Sequence, residues 1–258
     1  MQLLLRYLAF WFRSGNAHSV HSPFVFDLYT RVIRPALHQP AFDPIEKIRA
    51  ELLASRAEIQ TVDLGAGSRV ARSPRRRVKD VARYASKDAR TGQLLFRLVS
   101  HFAPQAVFDL GTSLGITTAY LAAANRGATV YTFEGCPRTL DIARNNFARL
   151  GYGHIHPVPG NLDETLPATL REVTSLDFAF FDANHRREPT LRYFTACLEK
   201  AREDSVFVFD DIYWSAEMMA AWEEIKSHPS VTLTVDLFHV GLVFFRRRQP
   251  KQHFRLRL

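Results

Sequence analysis

Apolar positions along the chain fall into two alternating patterns: stretches spaced as one face of a helix, and short unbroken apolar runs that read as buried strands. Residues 1 to about 60 contain several apolar helical segments, broken at Ser14-Gly15-Asn16, at Ser22-Pro23, and by Pro35, Pro40 and Pro44. Within them Ser22 caps a helix whose first position is Pro23 and whose buried side is Phe24, Phe26, Leu28 and Val32. Helical spacing returns over residues 78–102. Strands and helices then alternate: AVFDL, a helix from Ile116, TVYTFE, a helix from Pro137 to Leu150 stopped by Gly151, HIHPV, LDFAFF, the helix of PTLRYFTACLEKA, SVFVFDD, and the amphipathic SAEMMAAWEEIK. Two β-rich runs, VTLTVDLF and VGLVFF, flank His239. Strands separated by single helices require parallel crossover units, so the expected class is α/β with a mostly parallel sheet.

Chemistry concentrates where strands end. In FDLGTSLGITTAYLAAA, residues 108–124, Asp109 closes an apolar strand, and Gly111 and Gly115 free the backbone for a tight turn and close approach to a ligand. This is a Rossmann-like strand, loop and helix. The dinucleotide spacing G-x-G-x-x-G is absent, and no basic residue in the turn faces a phosphate. Glu134, nineteen residues beyond Gly115, falls at the tip of the next parallel strand, where its two oxygens can accept both hydroxyls of a ribose. Two further strands end in Asp182, with His185 three residues on, and in Asp210-Asp211. The single helix between those two strands puts both tips on the same sheet edge as Asp109 and Glu134.

The pattern D-x-G-x-S-x-G at Asp109, Gly111, Ser113 and Gly115 resembles motif I of class I S-adenosylmethionine (SAM) dependent methyltransferases, and its serine form resembles the catechol O-methyltransferase-like branch. The resemblance runs from about Thr91 to Arg246. It implies a seven-stranded sheet of order 3-2-1-4-5-7-6 with an antiparallel last strand, preceded by an N-terminal helical extension. The expected division is an extension over 1–90, a SAM-binding domain over 91–248 and a basic tail over 249–258. Gly111, Ser113 and Gly115 would then cradle the methionine and ribose of SAM, and Asn161 would lie near the adenine amino group.

The same resemblance implies a divalent ion, Mg²⁺ or a similar hard cation, on Asp182, Asp210 and Asp211. The acid-rich edge, Asp182 included, also suits the cationic sulfonium of SAM. Two positions depart from the branch: its usual Asp-Asn pair is Asp210-Asp211 here, and the lysine that is a base in several members is missing from DANHRR. His185 takes the place of that base, one turn from Asp182, with orienting Asp182 or ligating the ion as its alternative roles. The implied activity is metal-assisted O-methylation of a small-molecule acceptor.

Charge adds competing expectations. The formal net charge of +8 is uneven, with Arg69, Arg72, Arg75, Arg76, Arg77, Lys79 and Arg83 in one cluster and Arg246, Arg247, Arg248, Lys251, Arg255 and Arg257 in another. Such clusters suit nucleic acid, an anionic lipid surface or an acidic substrate, which keeps RNA or protein methylation, or a non-catalytic nucleic-acid or anionic-surface binding protein, as alternatives. No aromatic interleaving of the RNA-recognition kind accompanies them. TVDLGAGSR imitates the cofactor motif with Asp63, Gly65 and Gly67, but Pro74 and a basic run follow in place of an apolar helix, so residues 61–80 are expected to be a mobile basic segment over the active site. Two cysteines make neither a disulfide framework nor a metal cluster, pointing to a reducing cytoplasm. MQLLLRYLAFWF is too short to span a bilayer and is interrupted by Arg6, leaving a packed or interfacial helix. His18 and His21 are expected to be structural, and a homodimer is compatible with the sequence.

Overall fold

The computed structural model of the chain describes residues 2–62, 75–247 and 249–258. Asp63, Gly65 and Gly67 of the imitation motif, and Arg69, Arg72 and Arg248 of the basic clusters, lie outside the described residues. In chain order the elements are α1 (Gln2–Arg13), α2 (Pro23–Leu28, continued by a π-helical turn over Tyr29–Ile33), α3 (Phe42–Ala54), β1 (Glu58–Gln60), β2 (Arg75–Arg77), α4 (Val78–Tyr84), α5 (Ala89–Phe102), β3 (Ala106–Leu110), α6 (Ile116–Ala124), β4 (Thr129–Glu134), α7 (Pro137–Leu150), β5 (Ile155–Pro159), α8 (Leu162–Glu172), β6 (Leu176–Phe181), α9 (Arg187–Leu198), β7 (Ala201–Asp210), α10 (Ala216–Ser227), β8 (Leu233–Asp236), β9 (Val240–Phe244) and β10 (Gln252–Arg255). They form two compact units, Ala36–Glu172 and Met1–Pro35 with Val173–Leu258.

In the unit Ala36–Glu172, β3, β4 and β5 pair in parallel, with Asp109 opposite Thr132 and Glu134 opposite Pro159. Local sequence sets the helix ends. Asp88 accepts the Thr91 N–H to start α5, Pro137 occupies the first turn of α7, and Gly151 ends α7 in the left-handed region at φ 66°. Helix α6 is buried over most of its length because its Ile, Ala, Tyr and Leu face neighbours on several sides. A small antiparallel pair joins β1 and β2, where Arg75 meets Glu58 at 2.8 Å.

In the other unit the strand order is β6-β7-β9-β8-β10. Strand β6 pairs parallel with β7, β9 lies antiparallel between β7 and β8, and β10 lies parallel to β8. All six residues of β6 are buried, as an unbroken apolar run requires of a strand covered on both faces. The within-unit orders match 3-2-1 and 4-5-7-6, so the α/β, Rossmann-like, mostly parallel architecture is as expected.

Three details differ. The last ten residues are not a free tail: β10 adds an eighth strand to the expected seven, because its backbone completes the ladder of β8, Leu256 is buried, and the Arg257 N–H donates to the Gly15 carbonyl. In α2 the buried positions are Val25 and Leu28, with Val32 following in the π-helical turn, while Phe26 is exposed. Ser22 does accept the Val25 N–H with Pro23 in the first turn. Phe26 lies two residues from Leu28, on the opposite side of the helix, whereas Val25, three residues back, shares the buried side.

Candidate active site

The loop after β3 is shaped by backbone conformations that few side chains allow. Gly111, Ser113 and Gly115 have φ of 125°, 49° and 82°. A Cβ on Gly115 would come within 2.6 Å of the Phe147 ring, so glycine is required there on both counts. The loop is pinned on each side: the Thr112 N–H donates to the Phe133 carbonyl at 2.9 Å, and Asn146 Nδ2 donates to the Leu114 carbonyl at 2.9 Å.

Asp109 is fully buried beneath this loop. Its Oδ2 accepts from Thr118 Oγ1 at 2.5 Å and Thr132 Oγ1 at 2.8 Å. The carboxylate thus ties β3, β4 and the first turns of α6 together, and it acts on a ligand through the loop it holds. Thr118 and Thr132 are residues that sequence reasoning misses. Their only signal is that both interrupt apolar runs at positions facing the end of β3.

Glu134 is half-buried at the tip of β4. One oxygen accepts the Ser113 N–H at 2.7 Å and the other the Cys136 N–H at 2.8 Å. Burial pushes its carboxyl above the ordinary glutamate value, against the pull of those N–H donors. Thr139 and Gly135 donate to it as well, so several bonds hold the carboxylate at the tip of β4, where a ribose hydroxyl would meet it. Asn161 follows Gly160, whose φ is 123° and whose N–H donates to the Glu134 carbonyl. Asn161 Oδ1 caps α8 by accepting the Asp163 N–H at 3.1 Å, which leaves its amide N–H₂ as the free recognition group. The cradle fits a nucleoside cofactor without phosphate: a close-approach glycine loop, a ribose acceptor and an amide, all within one unit.

The second constellation lies in the unit that contains β6 and β7. Asp182 follows β6, and the chain then turns through Asn184 and His185 at φ of 67° and 40°. That turn folds His185 back, so that its Nε2 lies 3.4 Å from Asp182 Oδ1. Asp210 is buried at the end of β7. One ligand atom from each of Asp182, His185 and Asp210 lies within 4.8 Å of the others, a spacing that a single cation can bridge. Asp211 does not join this group. Its φ is 54°, its N–H donates to the His239 carbonyl at 2.7 Å, and its carbonyl accepts the Trp214 N–H. Tyr213 stacks on Phe238 with its hydroxyl bonded to Asp236 Oδ2 at 2.7 Å, which holds the loop after β7 against the β8–β9 hairpin.

The C-terminal basic cluster is engaged within its own unit. Arg246 lies over Phe24 at 4.0 Å, Arg255 meets Asp236 at 3.5 Å, and Arg257 lies over Trp11 at 4.1 Å while donating to the Ser14 carbonyl. These arginines cement the fold, so their number overstates the charge offered to a polyanion.

Fold and loop together resemble those of class I SAM-dependent methyltransferases. Residues 108–212 match the family model for a methyltransferase domain, which spans the strand, cradle and acidic tips described above. Among solved structures, the chain is similar to an O-methyltransferase from Bacillus cereus in complex with SAH (16% identity, 84% of this chain and 94% of that one, TM-score 0.57). It is also similar to the SAH-bound methyltransferase PaMTH1 from Podospora anserina (13% identity, 88% and 97%, TM-score 0.62). A third is the O-methyltransferase TomG from Streptomyces achromogenes, involved in tomaymycin synthesis and in complex with SAM (20% identity, 63% and 82%, TM-score 0.56). A sequence comparison with curated proteins gives no match. No helix among the described residues is long and apolar enough to cross a membrane.

Proposed function

We propose that this protein transfers the methyl group of SAM to an oxygen of a small-molecule acceptor with the help of a divalent cation. The convergence of Asp182, His185 and Asp210 carries the reading, because a donor cradle alone serves any acceptor. SAM, once bound, supplies an electrophilic methyl whose C–S bond breaks as the bond to the acceptor oxygen forms. A divalent ion, once bound, lowers the pKa of the acceptor oxygens electrostatically. The rest falls to the chain. Gly111 and Gly115 let the backbone approach the donor closely, Ser113 and Glu134 fix the loop, and Glu134 orients the ribose.

Asp182 and Asp210 supply hard oxygen ligands that suit Mg²⁺. His185, held by Asp182, takes the proton that the acceptor hydroxyl loses. Asp211 stands beside the converging trio, and its replacement by Asn, the residue usual in the resembling branch, should leave activity nearly unchanged. The family match and the O-methyltransferases among the structural neighbours support this reading.

The test is an acceptor screen of phenols and catechols with SAM and Mg²⁺ or Mn²⁺. Asp182→Ala should lose transfer by about 100-fold or more while SAM affinity stays intact, and chelation should abolish wild-type turnover. Turnover indifferent to chelator would overturn the metal half of the proposal and leave the methyl transfer standing.

A further inference from the structure

Helix α1 has two apolar sides. Its inner side packs within its own unit: Phe10 is buried against Tyr213 and Phe238, Tyr7 meets Phe238 edge-on at 5.0 Å, and Arg6 donates to the Tyr213 carbonyl at 2.8 Å. Its outer side carries Leu4, Leu5, Leu8, Trp11 and Phe12, and these are 61%, 59%, 44%, 42% and 76% exposed. At 100° per residue those five positions fall within one arc of about 120°. A soluble surface scatters its exposed apolar residues singly, whereas this is one continuous stripe on one helix.

Charge selects the occupant. Residues 2–26 carry Arg6 and Arg13 and no acid, and of the C-terminal cations Arg257 reaches this helix. The two segments meet in the structure: Gly15 bridges to Leu256, and Arg257 lies over Trp11. The apolar stripe is therefore bordered by net positive charge. A second copy of this chain docked face to face would bring these like charges together. An anionic lipid headgroup layer satisfies both features at once, taking the leucine, tryptophan and phenylalanine side chains into its acyl boundary and the arginines at its phosphates.

We propose that the outer face of α1 is an interfacial docking surface that holds this protein on an anionic lipid bilayer. The helix is too short to span one, so it lies in the plane of the surface. Its inner face grips Tyr213, three residues after Asp210, and so the docked helix is tied directly to the loop following β7.

Full-length protein is sedimented with vesicles of phosphatidylcholine alone and of phosphatidylcholine with 30% phosphatidylglycerol. Binding is expected to the anionic vesicles, to fall steeply between 0.1 and 0.5 M salt, and to drop by about 10-fold or more in the double variant Leu8→Gln, Phe12→Gln. On binding, the fluorescence of Trp11 should shift to the blue and be quenched by brominated lipid, and Trp11→Phe should remove that shift while still sedimenting. The wild-type quenching keeps the test decisive should the double variant misfold. Failure to bind anionic vesicles, binding unaffected by the double variant, or a lipid-free dimer that the double variant dissolves would each overturn the proposal.

Discussion

Under the proposed function Glu134 has two jobs for one carboxylate, and its burial makes the second dependent on pH. Burial raises the folded carboxyl above the ordinary glutamate value of 4.5, so on acidification it takes up a proton before an ordinary glutamate does. Protonation removes acceptor capacity at one oxygen. SAM affinity should therefore be full at neutral pH and fall through a midpoint above 4.5, and Glu134→Gln should weaken binding by about 10-fold or more and abolish the acid limb. Calorimetry from pH 4.5 to 7.5 reads both, and a midpoint at or below 4.5 would contradict the assignment.

His185 calls for a different readout, because an imidazole beside Asp182 could be base or ligand. As base it is needed for turnover and not for the ion, so His185→Asn should lower the rate by about 100-fold with the cation concentration for half-activity unchanged. A rise in that concentration would make it a ligand instead.

At the scale of elements, the C-terminal strand shows where pattern and packing part. Residues 252–255, QHFR, carry too little apolar alternation to read as a strand, and the cations around them read as a solvated tail. The ladder with β8 and the burial of Leu256 arise from residues far apart in sequence, and no local period encodes them. Leu256→Ala should cost about 2–5 kcal/mol in urea unfolding, a loss that an exposed tail would not produce.

The donor cradle was legible for the opposite reason. Asp109 and Glu134 stand at strand ends and Gly111 and Gly115 in the turn after β3, all within a short span of chain, and the positive φ angles of the two glycines suit little else. What stayed hidden was the support beneath: the hydroxyls of Thr118 and Thr132 converge on Asp109 only after the strands pair. The acidic site was half legible. Three carboxylates could be read from strand ends, but their selection could not, because the turn at Asn184 and His185 brings the imidazole in while the turn at Asp211 takes that residue out of the group.

The whole molecule separates its tasks along the chain, with the glycine cradle in Ala36–Glu172 and the converging acids in the unit of Val173–Leu258. Donor binding and cation dependence should therefore be separable by experiment. A ligand that binds only the native state stabilises it by about 2.7 kcal/mol at one hundred times its Kd. In a chain of this size that corresponds to a rise in Tm of about 5–10 °C. SAM should produce this rise in the wild type, with or without chelator, and equally in Asp182→Ala. Gly115→Val should abolish it, since the added side chain collides with Phe147 and the residue cannot hold φ 82° without strain. The baseline Tm of that variant will itself fall, so the quantity compared is the ligand-dependent increment. An increment that needs the divalent ion would show donor and cation binding to be coupled, and a wild type that SAM does not stabilise would remove the methyl donor from the reading altogether.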